Sequence, residues 1–110
     1  MIRGPAMILY GLKTCDTCRK VLKSLEGITF RDVRTDGVPD DVMTRALAAF
    51  GENLLNRRST TWRGLSDADR AQAPEILLSQ HPTLMKRPLI EAEGRLYLGW
   101  DENVQAALLG

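Results

Sequence analysis

The chain reads as an α/β fold, a mixed sheet of about four strands with helices around it and a helical insertion between its halves. Three observations carry that reading. A short apolar run at residues 7–10 leads through a turn into an amphipathic stretch and then into a second extended run at residues 28–33. Between Pro39 and Gln80 helix starts and stops recur, giving several helices with a polar loop among them and no strand. Beyond Arg87 the period shortens to that of strands, with Gly94 between two short runs.

The elements follow in order. Residues 1–6, with Gly4 and Pro5, precede the first strand and read as a flexible extension; residues 7–110 read as one domain. Met7-Ile8-Leu9-Tyr10 is rich in strand formers. A helix then runs from about Thr17 to Glu26-Gly27, where glycine can supply a left-handed cap. Strand, helix and strand within so short a span form a βαβ unit, which predicts a parallel pair with a right-handed crossover. Pro39 opens a second helix through Phe50, and Asp40 and Asp41 suit its N-terminal dipole. Leu54 and Leu55 make a short apolar contact before a polar loop ending at Trp62. Ser66 caps a short helix, and residues 74–80 form another that stops at His81-Pro82.

The last third is a hairpin and a helix. Residues 87–91 and 95–98 pair around Gly94, and Asp101 caps a final helix whose apolar face is Val104, Ala107 and Leu108. A proline entering a strand is confined to its first residue or to an edge. Pro88 is therefore a candidate for a cis peptide facing the cysteines. With a cysteine at the first helix start, this order suggests a thioredoxin-like sheet.

The chain is organised around Gly11-Leu12-Lys13-Thr14-Cys15-Asp16-Thr17-Cys18-Arg19-Lys20, which holds both of its cysteines. The first N–H groups of a helix lack intrahelical acceptors, and the helix dipole favours negative charge there. Thr14 or Asp16 could be the N-cap, placing Cys15 in or beside the first turn, where a thiolate is stabilised. Cys18, Val21, Leu22 and Leu25 follow the i, i+3, i+4, i+7 spacing of a core-facing stripe. Cys18 should thus point inward while Cys15 sits at the exposed lip. That arrangement pairs an accessible attacking sulfur with a shielded resolving one. Cys18 could equally be a buried cysteine acting as a small hydrophobe. A zinc site usually needs four N/S ligands, and two cysteines with one histidine leave it incomplete without a second chain.

Composition sets the class. With 44% hydrophobic and 26% charged residues the chain is ordinary for a soluble domain, and a net charge of +1 argues against bulk nucleic acid as a partner. No apolar run has membrane-spanning length, and the N-terminus lacks the apolar core of a secretory signal. The expectation is a cytoplasmic protein, with monomer the default state, in which Cys-x-x-Cys is more often catalytic or redox-sensing than structural.

Three blocks make the chain recognisable: Tyr10-Gly11-Leu12-Lys13-Thr14-Cys15-Asp16-Thr17, then Leu54-Leu55-Asn56-Arg57-Arg58-Ser59-Thr60-Thr61-Trp62-Arg63, then His81-Pro82-Thr83-Leu84-Met85-Lys86-Arg87-Pro88-Leu89. In order and spacing they resemble the arsenate reductase (ArsC)/Spx/YffB family, and the second block is most similar to the YffB branch. The resemblance implies a thioredoxin-like fold with a helical insertion, in a bacterial cytoplasmic protein that uses an essential cysteine. Its nucleophile falls on Cys15, with Cys18 as the candidate second thiol. Its oxyanion-binding arginines fall on Arg58, with Arg57 adjacent, and on Arg87, and Lys13 is a further substrate-binding candidate. A guanidinium fork suits a tetrahedral oxyanion or a carboxylate. His81 matches the family's His-Pro at a helix end and reads as structural. Trp62, Tyr97 and Trp100 read as core or half-buried.

Two positions depart from the glutathione-linked arsenate reductases: Leu98 stands where they resemble one another in an arginine, and Gly11 where they carry a histidine. Both weaken arsenate as the substrate and leave a reactive Cys15 untouched. The resemblance then implies a thiol-dependent reductase that acts on an oxyanion or a mixed disulfide. Glutathione is the expected co-substrate, glutathione or a glutaredoxin-type protein the expected reductant, and no bound cofactor or metal is implied. The Cys-x-x-Cys is also a feature of Spx regulators, so the alternative is a redox switch that binds the RNA polymerase α subunit.

Overall fold

The structure is a computed structural model, and it describes residues 7–25 and 27–109. The expected extension at residues 1–6 and the predicted helix end at Glu26 lie outside the described residues. The chain divides into two units, Met1–Asp36 with Arg87–Gly110, and Gly37–Lys86.

The first unit holds a four-stranded sheet. Its strands are β1 (Met7–Gly11), β2 (Thr29–Asp32), β3 (Leu89–Ala92) and β4 (Arg95–Leu98), in the order β2-β1-β3-β4. β1 runs parallel to β2, with Leu9 opposite Phe30, and antiparallel to β3, with Leu9 opposite Ile90. β3 and β4 form the antiparallel hairpin. The turn between them places Glu93 at φ 54 and Gly94 at φ 76. Two successive positive φ values define the tight hairpin turn whose twist matches that of the strands, and glycine takes one of them without steric cost.

The central strands carry the core. Leu9 and Ile90 are fully buried and pack with Cys18 and Val21 of α1 (Asp16–Ser24) and with Leu25, which follows it. Burying one such aliphatic side chain stabilises the fold by about 2 kcal/mol, so this cluster alone fixes α1 against the sheet. The amphipathic spacing read from the sequence is borne out at Cys18, Val21 and Leu25. The helix C-cap is Leu25, and Gly27 follows at φ 78.

The final helix, α6 by chain order (Glu102–Leu109), is capped by Asp101, whose Oδ1 accepts from the N–H of Val104 at 2.9 Å. Its expected apolar face is narrower than the spacing implied: Val104 is buried and Leu108 packs on the core cluster, but Ala107 is exposed. A methyl group is too small to decide a helix face, and the two larger residues orient it.

The second unit is the helical insertion. It runs through α2 (Asp40–Phe50), a 3-10 turn (Gly51–Leu54), α3 (Thr60–Arg63), α4 (Asp67–Arg70), α5 (Pro74–Gln80) and a second 3-10 turn (Pro82–Leu84). Pro39 is the N-cap of α2 and Pro74 opens α5. The two short helices are held at their starts by hydroxyls: Ser59 Oγ accepts from Trp62 N–H, and Ser66 Oγ from Asp69 N–H, both at 3.1 Å. Its core is Val42, Ala46, Leu54, Leu55, Leu77, Leu78, Leu84 and Met85. A bridge pairs Leu55 with Met85, and the N–H groups of Asn56 and Lys86 close it with bonds of 2.8 Å to the carbonyls of Leu84 and Leu54. No helix among the described residues is long and apolar enough to cross a membrane.

Candidate active site

The site is built where β1 gives way to α1. Gly11 ends the strand, and Leu12-Lys13-Thr14-Cys15 forms a turn closed by the N–H of Cys15, which donates to Leu12 O at 3.1 Å. Arg19 pins this turn from one helical turn away: its Nε donates to Lys13 O at 2.8 Å. A charge that the sequence alone offered only as background thus has a local structural duty.

Cys15 itself is the N-cap of α1, in place of the expected Thr14 or Asp16. It holds the extended conformation of a cap, φ −83 and ψ 118, and its carbonyl accepts the first helical bond from Arg19 N–H at 3.1 Å. Thr14 sits inside the turn and Asp16 is already helical, so neither can cap. No conventional side-chain hydrogen bond is made at the cap; a sulfur atom occupies the place where a serine or aspartate oxygen would accept.

Its electrostatics follow. Partial burial works against ionisation of Cys15, but the backbone N–H of Cys18, the thiol of Cys18, the N–H of Thr17 and the guanidinium of Arg87 together outweigh it. The thiol is pulled below its ordinary range. Cys18 behaves oppositely. It is fully buried, and burial is the main reason its thiol is pushed up to about 12. The Leu12 backbone opposes the shift, while the neighbouring Cys15 adds to it. The two sulfurs are therefore shifted in opposite directions, and Cys18 keeps its proton and offers it to Cys15 as a hydrogen bond. Both cysteines are free thiols.

Arg87 stands immediately before Pro88, and the bond between them, a candidate cis peptide in the sequence, is cis. Pro88 is buried and its carbonyl accepts from Gly99 N–H at 2.8 Å, which ties the approach to β3 to the end of β4. Arg87 thereby comes from a segment anchored at both sides. Lys13 is exposed in the turn before Cys15.

Gly11 has a role that residue types alone did not reveal. A Cβ placed on it would collide with Cys18 Sγ and come within 3.0 Å of Leu9 Cδ2. The buried thiol occupies the space that any side chain at this position would need.

In the helical unit, the two candidate arginines differ. Arg57 is committed: its guanidinium pairs with Glu52 and lies 5.6 Å from the centre of the Trp62 ring. Arg70 covers the same ring at 5.4 Å and donates through Nε to Trp62 O at 3.2 Å. Arg58 is exposed; its backbone N–H donates to Asn56 Oδ1 at 3.1 Å, and its side chain makes no hydrogen bond or ion pair among the described residues. His81 serves with its backbone, donating to Leu77 O at 2.8 Å and accepting from Leu84 N–H at 2.9 Å. No group of three or more His, Cys, Asp or Glu suited to a metal occurs among the described residues.

Comparison with known proteins places this architecture. A solved protein described as YffB is 32% identical, with a TM-score of 0.83 covering 96% of this chain and 100% of its own. An arsenate reductase (ArsC) related protein from Brucella melitensis is 31% identical, with a TM-score of 0.70 over 99% of this chain and 98% of its own. An uncharacterized protein of Haemophilus influenzae is 38% identical over 105 residues, which is 86% of this chain and 91% of that one. The profile of the ArsC family matches residues 10–108, spanning the cysteine turn, the helical insertion, the hairpin and nearly all of α6, and the chain belongs to the ArsC family.

Proposed function

We propose that the protein is a thiol-dependent reductase, glutathione-linked, that acts through Cys15. The observation that supports this most directly is the opposed state of the two sulfurs around one helix start, with Arg87 beside the reactive one. Thiolate is the attacking species in exchange, and the buried proton of Cys18 keeps the second sulfur from competing for that role.

In the proposed reaction the Cys15 thiolate attacks one sulfur of a mixed disulfide. A new Cys15–sulfur bond forms as the old disulfide breaks, and the leaving thiolate takes its proton from solvent. Glutathione, as its thiolate, then attacks the captured sulfur of the adduct, forming a new disulfide with it and returning Cys15 as thiolate. If Cys18 attacks instead, it gives its proton to solvent, forms a Cys15–Cys18 disulfide and expels the captured group as a thiol. Two external thiols then reduce that disulfide and leave as their own disulfide. Arg87 balances the negative charge that passes through the site, and the same fork would hold an oxyanion. For Arg58 and Lys13 the substrate-binding role rests on the family blocks. No bound cofactor is needed for any of these steps, and the reducing conditions they require fit a cytoplasmic setting.

The test is turnover of a glutathione mixed disulfide, and separately of arsenate, by the intact protein. Turnover of the disulfide that is abolished in Cys15→Ser, with a Cys15 adduct visible by mass spectrometry, is the expected result. The buried Cys18 beside Cys15 at the start of one helix also suits a regulator whose disulfide alters a binding surface. Retention of RNA polymerase α that depends on the redox state of the pair, together with no turnover of either substrate, would favour that reading.

A further inference from the structure

Beside the cysteine turn lies a feature that the thiol chemistry leaves unused. A shallow, open groove of about 530 Å³ is lined by Thr17, Lys20, Lys23 and Ser24 of α1 together with Trp100 and Gln105. One wall is firm: Trp100 packs against the core cluster, and its carbonyl accepts from Gln105 Nε2 at 2.9 Å. Ser24 Oγ donates to Lys20 O at 2.9 Å and so lies along the helix. Lys20 and Lys23 are exposed and, among the described residues, neither is paired with a carboxylate. Neighbours three apart on a helix have Cβ atoms about 5–6 Å apart. The groove is therefore lined by two neighbouring lysines and an indole, with no acid lining it among the described residues.

Its position gives it a meaning. Thr17, at one end, lies two residues from Cys15 in the first turn of α1. With about 1.5 Å of rise per residue, Lys20 and Lys23 stand roughly 7 and 12 Å along the axis from Cys15. An extended peptide advances about 3.3–3.6 Å per residue, so a carboxylate two residues from the sulfur comes level with Lys20. One three residues away falls about 1–2 Å short of Lys23, within reach of its flexible four-carbon stem.

We propose that this groove is the subsite for the carboxylate-bearing tail of the small thiol or disulfide that exchanges with Cys15. The inference rests on the reductase reading above and adds to it the place where that substrate lies and the charge it must carry. Lys20 and Lys23 hold the carboxylates, and Trp100 supports the peptide chain between them and the sulfur.

The experiment measures exchange of reduced protein with three small disulfides: glutathione disulfide, which is anionic, hydroxyethyl disulfide, which is neutral, and cystamine, which is cationic. Each rate is divided by the rate of alkylation with uncharged iodoacetamide at the same pH, so that changes in the thiolate fraction cancel. The native protein should prefer the anionic disulfide, and Lys20→Gln/Lys23→Gln should lower that preference about tenfold, equivalent to about 1.4 kcal/mol. Lys20→Glu/Lys23→Glu should shift the preference toward cystamine. Arg31→Gln/Arg95→Gln removes the same charge from exposed positions outside the groove and should leave the preference intact. An unchanged preference in the lysine variants, or an equal loss in the arginine control, overturns the groove alone. Absence of exchange with all three disulfides overturns the reductase reading and the groove together.

Discussion

Gly11 and Cys18 share one space: the side chain that the strand residue lacks is replaced by the buried sulfur of the helix residue. The two positions are seven apart in sequence and are in steric contact through the β1–α1 turn. Overpacking a core usually costs about 1–3 kcal/mol, so Gly11→Ala should lower stability by about that amount. In a Cys18→Ala background the obstruction is gone, and the same substitution should cost less than half as much. Urea unfolding of the four proteins of this cycle measures the coupling, and equal costs in both backgrounds would show that the contact is relieved in another way.

The depressed pKa of Cys15 predicts the pH profile of its reactivity. Alkylation by iodoacetamide should rise and level off at a lower pH than for a free cysteine, whose pKa is about 8.5. Arg87→Gln removes one of the groups that favours the thiolate and should move the midpoint upward. A profile for the native protein that coincides with that of a free thiol would refute the assignment.

Cys18 predicts the opposite dependence, seen in stability. Its folded pKa of about 12 lies above that of an unfolded thiol, about 8.5. Its contribution is therefore complete below about pH 8.5 and is lost as pH rises from there toward 12. Thermal unfolding of the reduced protein should show an alkaline loss of stability in this window, reduced in Cys18→Ala. The sign for Cys15 is reversed: its contribution is present above the unfolded value and disappears as pH falls through the depressed folded one.

The two neighbouring arginines should separate cleanly. Arg57→Gln loses an exposed ion pair and a contact over Trp62, together worth roughly 0.5–1.5 kcal/mol, and should register as a drop in stability. Arg58→Gln should leave stability within about 0.5 kcal/mol, as for a surface substitution, and should raise KM for an anionic substrate. The reverse pattern would assign the substrate role to Arg57.

Much of the architecture was legible because its signals are local. The amphipathic spacing after Cys15, Gly94 in the hairpin and Ser66 before a short helix each act within a few residues, and each is found where expected. The cis bond before Pro88 was a candidate only through the thioredoxin-like order of elements. A proline at a strand entrance is as well served by a trans bond, and only about one X–Pro bond in twenty is cis. Position, by contrast, was misjudged where residue type misled. Thr14 and Asp16 are common caps and cysteine is not, so residue type alone points away from Cys15, which is the cap. The pairing of Gly11 with Cys18, the commitment of Arg57 to Glu52 and Trp62, and the groove beside Trp100 depend on side chains meeting in space. No periodicity in the chain encodes them.

The sulfur at the head of α1 has a consequence for how long any adduct on it survives. A group that sheds its proton readily is also expelled readily, since the same N–H groups and guanidinium that welcome its charge are there when the bond breaks again. On the proposed chemistry, Cys15 would therefore leave as well as attack. Whatever it captures should be held only briefly, which suits a carrier in transit better than a permanent clasp.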